Sequence, residues 1–109
     1  MNEEEQLAAV KQNGWAILYI KDPSESVKLA AVQSDEYIIR FIKDPSESVK
    51  LAAVKQFGFA IEYIKEPSLE IIKFHLLLHK MYDFKYDHLT VEEQLEVSNL
   101  IKINKILND

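Results

Sequence analysis

The chain has 109 residues, a formal net charge of -5, 48% apolar and 28% charged residues, two Gly, three Pro and no Cys. That length holds one domain with a modest core, and the composition is that of a folded chain, neither collagenous nor disordered. The lack of Cys excludes disulfides, thiolate catalysis and Cys-based zinc or iron–sulfur sites, while the acidic balance opposes a duplex-binding groove, which needs clustered Lys and Arg.

The N-terminal MNEEEQLAAV is acidic and lacks the basic segment and long apolar run of a secretory leader. No run approaches the roughly 18 apolar residues of a membrane span. A cytoplasmic location, with neither membrane nor nucleic acid as partner, is the expectation.

A repeat organises the first two thirds of the chain. The segment IKDPSESVKLAAV at Ile20 to Val32 recurs 22 residues later, at Ile42 to Val54. At that period EEEQLAAVKQNGWAILYIKD, ESVKLAAVQSDEYIIRFIKD and ESVKLAAVKQFGFAIEYIKE align, the signature of stacked supersecondary units. Residues 1–21 form an N-terminal capping unit, since Glu5 stands where Val27 and Val49 stand in the next two units and needs no upstream neighbour. Residues 22–43 and 44–65 are the central repeats.

Each central repeat opens with Asp-Pro-Ser-Glu, at Asp22 to Glu25 and Asp44 to Glu47. The sequence predicts Asp as helix cap, Pro at the first helical position, and Glu closing a capping box three residues after Asp. The following SVKLAAV puts Val27 with Ala30 and Ala31 on one face and Leu29 with Val32 on the next, and the paired alanines predict close helix approach. Asn13 and Asp35 cap a second segment, marked by Gly14 and Gly58, whereas Phe57 lacks that capping chemistry.

WAILYI, YIIRFI and FAIEYI are rich in residues that also suit strands. Adjacent Ile38 and Ile39, then Phe41 and Ile42, break a period of two, and the polar Glu36, Arg40 and Lys43 fit one wet helical face. The leucine-rich pattern L-x-x-L-x-L-x-x-N is absent as well. The unit is therefore read as two short helices, with Trp15, Tyr37, Phe59 and Tyr19, Phe41, Tyr63 stacking between neighbours.

Residues 66–109 form a divergent C-terminal cap. Glu66-Pro67-Ser68 restarts the pattern, but LEIIKFHLLLHKMYDF replaces the alanine pair with bulky residues and aligns only with a one-residue insertion. A longer helix is predicted from Leu69 to Tyr82, and a last one, opened by a Thr90/Glu93 capping box, to about Leu107. Leu100, Ile103, Ile106 and Leu107 would cover the end of the stack, or alternatively join two copies as a homodimer. The fold expected is all-α: a short right-handed helical-hairpin solenoid of about three 22-residue units with a longer two-helix C-terminal cap.

LAAVKQNGWAILYI at Leu7 to Ile20 and LAAVKQFGFAIEYI at Leu51 to Ile64 resemble a bacterial and viral short-repeat family of unknown function, whose unit is roughly LAAVxxNGxALxYI. They also resemble miniature HEAT-type α-solenoids. The middle copy departs, with Asp35-Glu36 in place of Asn-Gly. The resemblance runs from Leu7 to about Ser68, implies a stacked helical array that offers a surface to another protein, and carries no catalytic residue.

Candidate chemistry is sparse. His75 and His79 lie four residues apart and Asp83 extends their face by a turn, a spacing suited to metal ligands. Leu76, Leu77 and Leu78 stand between the histidines, so the H-E-x-x-H motif is missing and no general base is held beside a metal. The acidic pairs at Asp22/Glu25 and Asp44/Glu47 are helix starts, Ser24 and Ser46 have no partner histidine, and two glycines could hardly build a phosphate loop. Glu92, Glu93 and Glu96 stand on the last helix where a membrane-surface helix would be basic.

The expected function is a non-enzymatic protein-binding module without cofactor, a small inhibitor or adaptor. A metal-dependent binder or hydrolase using His75, His79 and Asp83, and a structural oligomer joined by the last helix, are the alternatives. A partner would meet positions that vary while the scaffold repeats: Leu18, Arg40 and Glu62 on a ridge, and Asn13, Asp35, Glu36 and Phe57 in the preceding loops. Tyr82, Phe84 and Tyr86 are a second candidate patch, expected to be exposed.

Overall fold

In the computed structural model, which describes residues 1–79, 82 and 84–108 (the side chain of Asn108 aside), the 22-residue period appears first in the helix caps. Asn2 accepts a hydrogen bond from the Glu5 amide at 2.8 Å and donates its own amide to the Glu5 carboxylate, a reciprocal capping box that starts α1 (Glu3–Gln12). Ser24 and Ser46 stand at the equivalent places before α2 (Glu25–Val32) and α3 (Glu47–Gln56), and accept from the amides of Val27 and Val49. Ser68 does the same for Ile71 at the start of α4 (Leu69–His79), 3.2 Å away.

Two sequence expectations are corrected here. The caps are the serines, not Asp22 and Asp44; those residues and Glu66 take left-handed backbone, with φ of 49°, 47° and 51°. Asp tolerates that conformation better than most residues, so it turns the chain while the hydroxyl two residues on does the capping. Nor does α4 need an insertion: Val27, Val49 and Ile71, like Val32, Val54 and Leu76, keep the 22-residue spacing and are all buried. In that register His75 occupies the place of Ala31 and Ala53, and it too is fully buried.

The same caps tie neighbouring helices together. Ser24 Oγ donates to the Glu3 carboxylate at 2.8 Å, Ser46 Oγ to Glu25 at 2.6 Å, and Ser68 Oγ to Glu47 at 2.5 Å. Each serine hydroxyl thus accepts from its own helix and donates to the first residue of the previous one, where a carboxylate also suits the positive helix end.

The second segment of each unit is a 3₁₀ helix: Gly14–Tyr19, Ile38–Phe41 and Gly58–Tyr63. The sequence suggested ordinary short helices. Six residues of 3₁₀ helix span about 12 Å, where six of α-helix span about 9 Å, so the tighter coil carries a short segment further along its neighbour. Asn13 Oδ1 accepts from the Trp15 amide and Asp35 Oδ1 from the Tyr37 amide, while Phe57 makes no such bond. Gly14 is required by close approach: a Cβ there would lie 2.7 Å from Ile38 Cδ1 and 2.9 Å from the Ala31 carbonyl oxygen.

Successive helices pack α1 on α2, α2 on α3, α3 on α4 and α4 on α5 (Val91–Asn108), an all-α arrangement consistent with a helical repeat. The radius of gyration is 15.6 Å and the extents are 49 × 28 × 16 Å, more elongated than the about 13 Å expected of a compact 100-residue domain. The core is a line of repeated apolar side chains: Ile17, Ile39, Ile61 from the 3₁₀ segments and Val10, Val32, Val54, Leu76 from the helices. Burying one such side chain is worth about 1.5–3 kcal/mol.

The Thr90/Glu93 capping box at the start of α5 forms as the sequence predicts. The face of α5 that meets the stack differs from expectation. Val97 is buried and Leu100 and Ile101 pack against the core, with Asn104 donating to the Leu76 carbonyl, whereas Ile103, Ile106 and Leu107 are exposed. Glu96 lies 2.5 Å from Lys73 of α4 and, by accepting its hydrogen bond, holds the lysine pKa above its ordinary value. Among the described residues no helix is long and apolar enough to cross a membrane.

Removing the Ser46 hydroxyl should cost more than altering Asp44. Ser46→Ala is expected to lose about 1–2 kcal/mol of unfolding free energy in urea titration, while Asp44→Asn, which still tolerates left-handed backbone, stays within about 0.5 kcal/mol. The reverse order would return the capping role to the aspartate.

Candidate functional site

Where each 3₁₀ segment runs into the next Asp-Pro or Glu-Pro junction, the surface opens into a groove, and three such grooves follow one another at the repeat period. Their volumes are about 540, 360 and 720 Å³ from the N-terminal to the C-terminal one. Ile17, Ile39 and Ile61 occupy the same place in the three, as do Ile20, Ile42 and Ile64, and Pro23, Pro45 and Pro67 form the equivalent wall. The apolar frame is thus a by-product of the repeated core, while the position that differs is Leu18, Arg40 or Glu62.

The charges differ as well. The first groove balances Lys28 and Lys43 against Asp22 and Asp44. The middle one brings Arg40, Lys50 and Lys65 around Asp44 alone. In the third, Glu62, Glu66 and Asp87 outnumber Lys65 and Lys85. That third groove is closed by the C-terminal part of the chain, through Phe84, Lys85, Asp87 and His88, where the others are closed by the next unit.

Aromatic side chains hold the ridge. Trp15 packs edge-on against Phe41 with ring centroids 5.4 Å apart, and Tyr37 against Tyr63 at the same distance, so the rungs join a first-series ring to the second-series ring of the following unit. The sequence placed both series between units without giving this diagonal. Tyr19 and Phe59, at the open ends of the diagonal, are largely exposed. The Arg40 guanidinium lies 5.1 Å from the Tyr63 ring centroid and 5.9 Å from that of Phe41, a cation–π arrangement that steadies its aliphatic stem along the ridge. Desolvation, and next the neighbouring Tyr37 hydroxyl, push the Tyr63 pKa up.

The candidate partner residues therefore separate into groups. Leu18, Arg40 and Glu62 line the grooves. Asn13 and Asp35 are engaged in the turns, Asp35 also accepting from the Trp15 indole at 3.3 Å. Glu36 is half-buried beside Asp35, and Phe57 packs against the core. Tyr82, Phe84 and Tyr86 are not an exposed patch: all three pack against the core, Phe84 meets the His75 ring edge-on at 5.3 Å, and Lys105 sits over Tyr82. Their exposure was misjudged because the sequence did not show that His75 is buried or that Phe84 covers it. Lys28, Lys50 and Lys65 also line the grooves and were not singled out by the sequence as partner residues.

His75 and His79 do come together, with ring centroids 5.6 Å apart, but His75 is fully buried and His79 Nε2 donates to the Val54 carbonyl oxygen at 2.6 Å. Asp83, the third member of the metal set read from the sequence, lies outside the described residues. Among the described residues no group of three or more His, Asp or Glu side chains is placed to hold a metal ion. Comparison with known protein families, with curated proteins and with solved structures gives no match for this chain.

A metal at His75 and His79 would have to displace the Val54 contact and the cover of Phe84. Zinc or manganese added to metal-free protein is accordingly expected to leave the melting temperature unchanged and to show no stoichiometric uptake by calorimetry. Tight one-to-one uptake lost in His79→Ala would restore the metal reading.

Proposed function

We propose that this chain is a non-enzymatic protein-binding module, a small inhibitor or adaptor, whose recognition surface is the row of three grooves along the Leu18, Arg40 and Glu62 ridge. In this reading it is a short right-handed helical solenoid of three units with a two-helix C-terminal cap, similar to a miniature HEAT-type array. The observation that carries the proposal is the repetition itself: three open grooves share an apolar frame and differ in the residue that faces their mouth and in their charge. A constant frame with variable contact positions suits recognition of an extended segment, which gains affinity from several modest contacts at once. Neither a cluster of perturbed acids and bases nor an activated nucleophile competes for the surface among the described residues.

A photo-crosslinking side chain tests this directly. Placed at Leu18, Arg40 or Glu62 it is expected to capture the bound protein from lysate of the source cells, and at the exposed Ser26 or Ser48, outside the grooves, to capture little. Capture that is stronger from Ser26 and Ser48 would move the interface off the ridge.

A second reading is favoured by one observation. On α5 Val91, Leu95, Ile103 and Ile106 are 82%, 61%, 50% and 76% exposed, and helical geometry places them on the side away from Val97 and Ile101. A second copy of the chain docked on that side would make the protein a homodimer. Light scattering is expected to give the dimer mass for the native chain and the monomer mass for Ile106→Lys; a native chain that stays monomeric at high concentration ends this reading.

A further inference from the structure

Resting on the groove reading above, the geometry points to a specific partner chemistry: we propose that the row of grooves binds an extended, polyproline-II-like protein segment with an acidic side chain in the middle groove, an apolar one in the first and a basic one in the third, at positions three residues apart.

The spacing comes from the stack. Helices packed in contact lie about 8–10 Å apart, so equivalent grooves on α1–α2, α2–α3 and α3–α4 recur at about that interval. A polyproline-II segment has three residues per turn and rises about 3.1 Å per residue, so every third side chain points the same way at about 9 Å intervals. A pleated strand would instead return a side chain to the same face every second residue, about 6.6–6.8 Å apart, and fall out of step with the grooves. The flanking prolines Pro23, Pro45 and Pro67 and the exposed or half-exposed rings of Phe41 and Tyr63 provide the flat apolar walls on which such a segment packs.

The order of side chains comes from charge. Three cations against one acid make the middle groove net positive in a chain whose formal net charge is -5. Arg40 is held in place by its contacts with the Tyr63 and Phe41 rings, and it offers a carboxylate a forked pair of donors. The first groove, with Leu18 at its mouth and balanced charges, suits an apolar side chain. In the third, Glu62, Glu66 and Asp87 favour Lys or Arg. A segment of the opposite charge order would bring like charges together in two grooves, which works against binding even where each pair is worth little alone.

The test uses the full chain and a phage-displayed library of random peptides long enough to span three grooves. Selection on the native chain is expected to enrich peptides with Asp or Glu three residues from an apolar residue on one side and three from Lys or Arg on the other. Selection on Arg40→Glu, which leaves Lys50 and Lys65 balanced against Asp44 and the introduced carboxylate, should lose the preference for a central acid. For an individual enriched peptide, exchanging the central Glu for Lys is expected to weaken binding by about three- to tenfold at moderate salt, less at high salt. Circular dichroism of Arg40→Glu, with an exposed side chain, checks that the variant still folds. Enriched peptides that lack the spacing, or whose binding ignores Arg40→Glu while depending on Leu18 or Glu62, overturn this inference and leave the ridge as the interface. No enrichment at all overturns it too, and the crosslinking result decides the broader reading separately.

Discussion

No helix among the first three can bury its own apolar face. At eight to ten residues each is shorter than a helix that persists alone in water, so α1, α2 and α3 exist because the next one covers them. The valine and isoleucine series supplies most of that stabilisation, since it repeats several buried side chains per unit while the Ser–Glu bonds lie at the surface, where hydrogen bonds to charge are screened. What the Ser–Glu ladder adds is register. A helix shifted by one turn against its neighbour would keep much of its hydrophobic burial but lose both the cap and the carboxylate, so the polar contacts select one alignment among several oily ones.

Much of this order was legible because a copied segment announces it. The thirteen residues shared by Ile20–Val32 and Ile42–Val54 fix the period, and the period identifies Val10, Val32 and Val54 as one row. The repeat did not disclose which polar residue caps, since Asp22 and Ser24 both suit a helix start and only the backbone at Asp22, with φ of 49°, separates them. Nor could propensity distinguish α from 3₁₀ helix in GWAILY, because the same residues and the same periodicity suit a short segment of either. The ridge residues Leu18, Arg40 and Glu62 were visible as the variable members of a fixed frame, whereas the grooves beneath them are tertiary, formed by side chains up to 27 positions apart such as Ile17 and Asp44.

The groove floors and the core are therefore one construction seen from two sides. Ile39 and Ile42 are buried members of the stack and at the same time the floor of the middle groove. A substitution there would alter stability and the shape of the groove together. Arg40 stands between them and is exposed, so it is free to vary with little effect on packing. This explains how a scaffold with thirteen identical residues in adjacent copies can still present different chemistry at each step.

The repeat pattern changes at His75. Ala31 and Ala53 are small buried side chains, and in α4 the same place is taken by a larger imidazole that is fully buried as well. Its ring is covered by Phe84, which lies across it edge-on, and His88 Nε2 anchors the same stretch by donating to the Pro67 carbonyl at 2.5 Å. Phe84 and His88 in turn form the far wall of the third groove, bringing Lys85 and Asp87 with them. Where the first repeats have an alanine pair, α4 carries Phe74 and His75, and the stretch that covers His75 closes the last groove; the Lys85 and Asp87 it brings offset each other, so the acidic character of that groove comes from Glu62 and Glu66.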